Sequence, residues 1–526
     1  MAVGKSPKQV GLVGSSASYC GPRLSETSVY SLLHRESHRL FPDESFADLF
    51  DDVGRRSIPP QIVAVVMSLQ RMEGLSDREA VDRFTFDLRW KYAAGGLNYD
   101  YPGFVHTVLV DMRARLARSE RPNRIFDAVL DVCSAAGLVG RKRVFDSTAL
   151  YDAVATQDTV TLVRSAIRGL LRVASAALRA KILAVLARED DYAAAGKPAC
   201  DWGDKSARET LIDALAKDAH AALSYLEDRM LATALTEAAT LLATVVGQDI
   251  ERGDDGRFRI IRGVASDRII STVDPDARHG HKTKARSFDG YKGHISIDPD
   301  SEIIVASEVT AGNVGDGEAA RPLLEEAFES EREAKETSVD EVYGDASYGT
   351  TNIVEKLESA GIEVNVKVQE PVPPKKGFFS KRDFDVDLDE QTVRCPRGIL
   401  VRIRPSKATR FEGVAAFAKH CTDCSLRERC TISKSGRTMR ITRNERTLQR
   451  NRIRQRDSSW KAKYRATRPK VERKIAHLMR RRHGGRRARV RGRERVRADF
   501  AVLCATENLK RLAVLRVHHD GVTWCR

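Results

Sequence analysis

The sequence predicts an α/β protein in which helices flank a mixed sheet, and three observations lead to this fold class. Between residues 286 and 370, short strand-like segments alternate with helical ones. Two apolar strand-like segments, within VFDST and VYGD, each end at an aspartate, Asp146 and Asp345. Helical patterns lie on both sides of these segments along the chain. Paired strands followed by strand–helix alternation are typical of a mixed sheet covered by helices.

The first quarter of the chain predicts helices. Residues 1–40 begin rich in Ser and Gly, and we expect them to be poorly ordered. Residues 41–135 predict a helical domain: PPQIVAVVMSLQRMEG has proline at its start and glycine at its end. Ser76 and Glu79 form a capping box for the next helix. Two helices joined by a glycine turn make this domain a candidate for DNA binding, although most helical hairpins bind nothing.

The segment RKRVFDSTALY at 141–151 predicts the first strand. Residues of about 153–247 are rich in Ala and Leu at periodic positions, which predicts a helical insertion without chemistry of its own. The following segments predict, in order, a hairpin, a helix, a strand, a helix and a strand: RSFDGYKGHISID with SEIIVASEVT, GEAARPLLEEAFESE, DEVYGD, TNIVEKLESAG and IEVNVKV. PVPPKKG then marks a boundary, and AVLCATENLKRLAVL predicts a closing amphipathic helix.

The charge of the chain is concentrated in one segment. The 526 residues carry a net charge of +16, yet residues 437–497 hold 25 Lys or Arg against four acids. Such a basic segment indicates a polyanionic partner, and we favour nucleic acid over a solvated, partly disordered tail. With 42% hydrophobic and 31% charged residues the chain is globular. It has no apolar run of about 20 residues, so we expect a soluble, cytoplasmic protein.

Three carboxylates form the candidate active site. An aspartate at a strand end either caps a turn or holds a ligand, and this alternative applies to Asp146 and Asp345. Glu472 is an isolated acid in the basic segment, where the simpler interpretation is a surface ion pair, such as a helical pair with Arg468. Hard oxygen ligands from two strand ends and a helix are nevertheless suited to Mg²⁺, and two such ions about 4 Å apart can activate attack at phosphorus.

Several motifs in this order resemble the DDE transposases of bacterial insertion sequences: VFDST, GYKGHISID with VTAGNVGD, YGDASYGT, and a basic helix with Arg four residues before Glu. The resemblance covers about residues 45–515. It implies a ribonuclease H-like core at 136–370 and 440–515, interrupted by the helical insertion and by a cysteine-bearing insertion at 371–439. It also implies Mg²⁺-dependent cleavage at element ends, with Mn²⁺ as a substitute, followed by strand transfer into target DNA.

The resemblance implies roles for individual residues. Asp146, Asp345 and Glu472 become the metal-binding catalytic triad. We expect DNA contacts from Arg468, Tyr464, Arg480 and Lys292, the last within a basic segment at 274–294. The chain departs from the family pattern at two points: Tyr464 lies eight rather than seven residues before Glu472, and Met479 stands where a lysine is usual. A homo-oligomer on DNA, associated with the bacterial nucleoid, is implied in the same way.

Two nearby residues have simpler interpretations. We expect His294, on a strand facing Asp146, to be packed or hydrogen bonded rather than to bind DNA or metal. Asp316 is interpreted as a cap for the helix that begins in GEAARPL.

Four of the nine cysteines lie close together in the sequence, at Cys395, Cys421, Cys424 and Cys430. Four thiolates at this spacing predict a structural Zn²⁺ site, and one branch of the resembled family carries similar cysteines. The alternative is a set of reduced thiols packed in an insertion.

Two other functions compete with a transposase. One is a non-catalytic DNA-binding protein derived from a transposase, and the other is a nuclease of the same fold. All three acids are present, which argues against the first, whereas the second uses the same carboxylates.

Overall fold

A six-stranded mixed sheet forms the centre of the computed structural model, which describes residues 1–5, 14–51, 53–194, 196–283, 286–325, 339–406 and 411–526. The strands are β1 (Lys142–Tyr151), β2 (Ile250–Arg252), β3 (Phe258–Ile260), β4 (Arg278–Thr283), β5 (Arg286–Ile297), β6 (Ile304–Ala311), β7 (Glu341–Gly344), β8 (Glu363–Val366), β9 (Asp385–Asp387), β10 (Thr392–Arg394), β11 (Leu400–Arg402), β12 (Arg404–Pro405), β13 (Phe411–Ala416), β14 (Thr438–Thr442), β15 (His518–His519) and β16 (Trp524–Cys525).

The α-helices of the described residues are α1 (Ser16–Cys20), α2 (Val29–Leu40), α3 (Pro60–Glu73), α4 (Asp77–Phe86), α5 (Leu88–Ala93), α6 (Thr107–Arg118), α7 (Arg124–Ala135), α8 (Thr159–Val173), α9 (Ala176–Leu183), α10 (Lys205–Leu226), α11 (Thr233–Asp249), α12 (Ala320–Leu323), α13 (Thr351–Ser359), α14 (Glu445–Arg454), α15 (Ser458–Thr467), α16 (Pro469–Leu478) and α17 (Arg493–Val514). Among them, no helix is long and apolar enough to span a membrane.

The main sheet is antiparallel on one side and parallel on the other. Its order is β4-β5-β1-β7-β8, with β6 also paired to β5. Strand β1 pairs antiparallel with β5, while β7 pairs parallel with both β1 and β8. This mixed sheet is consistent with the ribonuclease H-like core that the resemblance implies.

Different hydrophobic cores cover the two faces of the sheet. The largest core joins the N-terminal helices α2, α3 and α7 to helix α17 and to one sheet face. A smaller core, built around Phe145 and Tyr348, packs on the other face. The predicted N-terminal domain therefore shares its core with the sheet. Helices α8–α11 have a core of their own, and so do the small sheets that carry the cysteines.

Local sequence signals explain the N-terminal helices. Helix α3 begins with Pro60 and ends before Gly74, whose φ of 71° is left-handed. A Cβ at Gly74 would also overlap the backbone of Arg482, so both conformation and space require glycine. The capping box of Ser76 and Glu79 at the start of α4 is confirmed.

Two sequence expectations differ from the structure. Part of the segment expected to be poorly ordered, residues 29–40, is helix α2, because Ser28 caps it and Leu32 and Leu33 are buried in the main core. Residues 6–13 of that segment lie outside the described residues. The helix predicted for 317–331 starts as a 3₁₀ turn at Asp316–Ala319 followed by α12, and its part from 326 onward lies outside the described residues.

Candidate active site

Parallel pairing brings Asp146 and Asp345 together. The expectation that each strand ends at its aspartate is correct for Asp345 but wrong for Asp146, because β1 continues past Asp146 to Tyr151. Val144 of β1 lies opposite Tyr343 of β7. Asp146 and Asp345 each follow two residues after that pair, so they are neighbours at the same edge of the sheet. Asp345 comes directly after β7, which ends at Gly344. The short strand therefore positions Asp345 without a long loop.

A buried arginine lies between the two aspartates. Arg468 Nη2 donates to Asp146 Oδ2 at 2.9 Å and lies 4.0 Å from Asp345 Oδ2. The Arg468 side chain is 6% exposed, and its Nε and Nη1 atoms have no hydrogen-bond partner. Among the described residues, the ion pairs of Arg468 go to these aspartates rather than to Glu472. The site thus holds a side-chain cation against two carboxylates.

Burial and charge act on Asp146 in opposite directions. Burial raises the pKa of the Asp146 carboxyl, while the guanidinium of Arg468 opposes that rise. The net effect is a pKa above the ordinary value for aspartate. Removing the local cation would therefore leave a carboxyl that is poorly suited to carry its charge.

Helix α15 is fixed to the residue that precedes Asp345. The Tyr464 hydroxyl donates to the carbonyl oxygen of Gly344 at 3.1 Å. The Tyr464 ring stacks on Trp460 with centroids 4.9 Å apart, and both side chains are buried. Burial raises the pKa of the Tyr464 hydroxyl, which stays a donor. Tyr464 therefore holds the start of the Asp345 loop from the side of α15.

Glu472 lies one turn beyond Arg468, on α16. It is exposed and lines a cleft of about 600 Å³ that Arg468 and Tyr464 also line. Lys461 and Arg465 contribute positive charge to the same cleft. In the described part of the chain, no group of three or more His, Cys, Asp or Glu side chains is arranged to hold a metal ion. The cleft brings Glu472 beside the arginine that contacts both aspartates.

The opposite face of the sheet carries a second polar network, centred on Asp316. Its Oδ1 accepts from Lys292 Nζ at 2.8 Å, and its Oδ2 accepts from Ser147 Oγ at 2.8 Å. Ser347 Oγ lies 3.1 Å from the same Oδ2 and also hydrogen bonds to Asp345. The interpretation of Asp316 as a helix cap is wrong, because its oxygens bind side chains of other segments.

His294 belongs to this second network. It lies opposite Ser147 in the sheet register, whereas Asp146 lies opposite Ile295. Strand β5 thus lies beside Asp146 as expected, but the His294 side chain lies on the opposite face of the sheet from that of Asp146. It is fully buried and hydrogen bonds through its two ring nitrogens to Tyr348 and Thr310, which confirms the expectation that it is packed and hydrogen bonded.

The residues expected to contact DNA lie in different surroundings. Arg468, Tyr464 and Lys292 have the protein partners described above, and their side chains are largely buried. Arg480 is exposed just after α16. Their DNA contacts stay predictions.

The basic segment beyond α16 is attached to the end of β1. The Tyr151 N–H donates to the carbonyl oxygen of Arg486 at 2.7 Å, and the Ala488 N–H donates to that of Tyr151 at 2.8 Å. Arg486 also donates to the Thr148 hydroxyl at 2.9 Å. These contacts hold a run of arginines beside the strand that carries Asp146, and Arg481, Arg482 and Arg487 are exposed there.

The four clustered cysteines line one small cavity, between the small sheets of the cysteine-bearing region. All four are free thiols, and Cys421 and Cys430 are buried. Burial raises the pKa of the Cys430 thiol, and the charges of the other three cysteines add to the rise. The four thiols thus line one space, although among the described residues they are not arranged to hold a metal ion.

Comparison with protein families finds two matches. Residues 394–513 match the family described as Transposase DDE domain. Residues 31–115 match the family described as Transposase domain (DUF772). Glu472, Arg468 and the four cysteines lie within the first match, whereas Asp146 and Asp345 lie between the two. Searches of curated proteins and of solved structures found no match.

Proposed function

The chain is a DDE-type transposase, and on that premise we propose that it cleaves DNA at the ends of an insertion sequence and joins those ends to target DNA. The family implies dependence on a divalent metal ion, typically Mg²⁺. The observation that carries the proposal is the approach of Asp146 and Asp345 to one cation, the Arg468 guanidinium.

The residues present fit a divalent ion. Carboxylate oxygens are the ligands that Mg²⁺ prefers, and Asp146 and Asp345 already converge on one positive group, the Arg468 guanidinium. Asp146 and Asp345 would hold the ion, with Glu472 contributing from α16. A divalent ion bound there supplies Lewis-acid activation of the phosphodiester and of the attacking water or hydroxyl.

The chain's own residues contribute binding and orientation. Arg468 stabilises the charge of buried Asp146 and keeps its carboxylate turned toward Asp345. Tyr464 fixes the start of the Asp345 loop through Gly344. The exposed cations Lys461 and Arg465 line the cleft beside Glu472 and are suited to phosphate oxygens of a DNA strand. The arginines at 480–487 extend this positive surface past the end of β1.

The proposal is tested by separating cleavage from DNA affinity. Asp345→Asn should abolish Mn²⁺- or Mg²⁺-dependent cleavage, because a carboxamide is a poor substitute for an ionised ligand. Its DNA affinity should stay close to that of the wild type, because affinity arises mainly from Lys and Arg contacts with phosphate.

Asp340→Asn is the matched control. Asp340 lies just before the same strand, is exposed and pairs with Arg141 at 2.7 Å. This variant should cleave normally. Full cleavage by Asp345→Asn would contradict the proposal, and loss of DNA binding in that variant would contradict the separation of catalytic from binding residues. Cleavage without joining of ends would favour a nuclease of the same fold.

We also propose that the four clustered cysteines bind one structural Zn²⁺ ion. The support is their position around a single cavity in a region with its own small core. Protein purified without chelator should contain about one zinc per chain by elemental analysis. Zinc-free protein that is fully folded would favour the alternative of packed, reduced thiols.

A further inference from the structure

Asp316 joins the two segments that carry the candidate catalytic aspartates. Ser147 directly follows Asp146 on β1, and Ser347 lies two residues after Asp345. Both hydroxyls reach the same oxygen of Asp316, at 2.8 and 3.1 Å. The backbone N–H groups of these serines in turn donate to Asp146 Oδ1 at 2.8 Å and to Asp345 Oδ1 at 2.9 Å. Each aspartate is thus connected to Asp316 through one serine.

The Asp316 network acts from the side opposite Arg468. Side chains alternate along β1, so Asp146 lies on one face and Ser147 on the other. Arg468 contacts Asp146, whereas Asp316, Lys292 and His294 lie on the face of Ser147. The two segments are therefore contacted from both faces of the sheet.

The ion pair with Lys292 distinguishes Asp316 from a third metal ligand beside Asp146 and Asp345. Lys292 Nζ contacts Asp316 Oδ1 at 2.8 Å and donates to the carbonyl oxygen of Val314 at 2.7 Å. The pair is largely buried, with exposures of 14% and 12%. Lys292 thus neutralises Asp316 and fixes its carboxylate against strand β5. The remaining oxygen is directed to the two serines.

Close packing supports the same arrangement. Gly317, next to Asp316, lies against Thr350 of the loop that follows Asp345, and an added Cβ there would lie 2.6 Å from Thr350 Cγ2. The fully buried Tyr348 packs on Phe145 with ring centroids 4.6 Å apart. The segment 316–317 and the loop 345–350 therefore have little freedom to separate.

We propose that Asp316 is a positioning residue, which sets the spacing of Asp146 and Asp345 for a divalent ion through Ser147 and Ser347. This inference rests on the proposed function of the site. Partners that orient metal ligands typically contribute about 10- to 100-fold to metal affinity. Asp316 requires both its charge, for Lys292, and its second oxygen, for the serines.

The test measures Mn²⁺ binding to the full chain by electron paramagnetic resonance of free Mn²⁺, together with DNA affinity and thermal unfolding. Asp316→Asn should raise the Mn²⁺ dissociation constant at least about tenfold. Its DNA affinity should change less than about twofold, because Asp316 is not a cation of the DNA surface. Ser347→Ala keeps Asp316 and removes one connection, so it should weaken Mn²⁺ binding in the same direction.

Asp298→Asn is the control for stability. Asp298 is also a buried aspartate with several partners, among them the N–H groups of Gly140 and Ser301, but it lies just after β5 and these partners are not part of the Asp316 network. It should lower the unfolding temperature without changing Mn²⁺ affinity. If Asp316→Asn does not fold, Ser147→Ala decides the question, because the Ser147 hydroxyl donates to Asp316, whereas the Ser347 hydroxyl also bonds directly to Asp345. Unchanged Mn²⁺ affinity in Ser147→Ala would then overturn the positioning role.

The outcomes separate this inference from the proposed function. Mn²⁺ binding that is weakened by Asp345→Asn but unchanged by both Asp316→Asn and Ser347→Ala would overturn the positioning role alone. Mn²⁺ binding that is unchanged by Asp345→Asn would overturn the proposed metal site itself. An equal loss of Mn²⁺ affinity in Asp298→Asn would reduce the effect of Asp316 to general stability and overturn its positioning role.

Discussion

Replacing Arg468 by methionine should destabilise the protein by about 3–5 kcal/mol, the usual cost of leaving one partner of a buried ion pair uncompensated. Arg468 Nη2 lies 2.9 Å from Asp146 Oδ2, and the side chains of Arg468 and Asp146 are 6% and 14% exposed. At an effective dielectric constant of about 20, its Coulomb energy is about 6 kcal/mol, which the desolvation of both charges reduces. Methionine fills a similar space, so the loss of charge dominates.

A double-mutant cycle isolates the pair. Asp146→Asn alone leaves Arg468 buried without its counterion and should also be costly. The combination Asp146→Asn with Arg468→Met removes both charges, and its cost should be at least about 2 kcal/mol below the sum of the two single costs. Arg473→Met is the control, because Arg473 lies on helix α16, which begins directly after Arg468, but is half exposed where it pairs with Glu302. It should cost under about 1 kcal/mol.

The assay is urea unfolding in the presence of a chelator, so that no metal ion replaces the lost arginine. Tryptophan fluorescence is a suitable signal, since Trp460 stacks on Tyr464 beside the pair. A single-variant cost under about 1 kcal/mol, or strictly additive costs in the double variant, would refute the argument that the guanidinium compensates the buried carboxylate.

Two further predictions concern the stability of the fold. Burial alone would raise the pKa of Glu507, but His483 and Lys510 lower it from 4.5 to about 2. This fall corresponds to about 3 kcal/mol of stability, present above pH 5 and lost as the pH falls toward 2. Glu507→Gln should remove that stability at pH 7, and its free energy of unfolding in urea should fall less steeply between pH 5 and pH 2 than that of the wild type. An equally steep fall would contradict the lowered pKa of Glu507. Gly344→Ala should cost about 1–3 kcal/mol by thermal unfolding, since its Cβ would overlap the Phe145 ring, and a neutral result would contradict this packing.

The sequence predicted those features of the fold that depend on local pattern. The apolar runs before Asp146 and Asp345 predicted two strands, and the parallel register of those strands brings the aspartates together, although Asp146 lies within β1 and Asp345 just after β7. The caps of α3 and α4 are local signals as well. The mixed sheet follows from the order of strands and helices.

Features that depend on distant contacts could not be predicted. Asp316 appeared to be a cap, because its partners Lys292, Ser147 and Ser347 come from three other segments of the chain. Arg468 appeared to pair with Glu472 or with DNA, because its partner Asp146 lies more than 300 residues away. The shared core of helices α2, α3 and α7 with α17 joins opposite ends of the chain in the same way. The hydrophobic pattern of each helix indicates a buried face but not the surface that covers it.

Glu472 is the member of the triad whose assignment needs the most direct measurement, because it is exposed and lies on a helix, whereas both aspartates are placed by strands of the sheet. The measurement is nicking of supercoiled plasmid in Mn²⁺ by the wild type, Glu472→Gln and Glu370→Gln. Glu370 is the matched control, since it is an exposed glutamate that lines the same cleft. We predict nicking by the wild type and by Glu370→Gln, and none by Glu472→Gln. Equal nicking by Glu472→Gln and the wild type would contradict the metal-dependent triad of Asp146, Asp345 and Glu472.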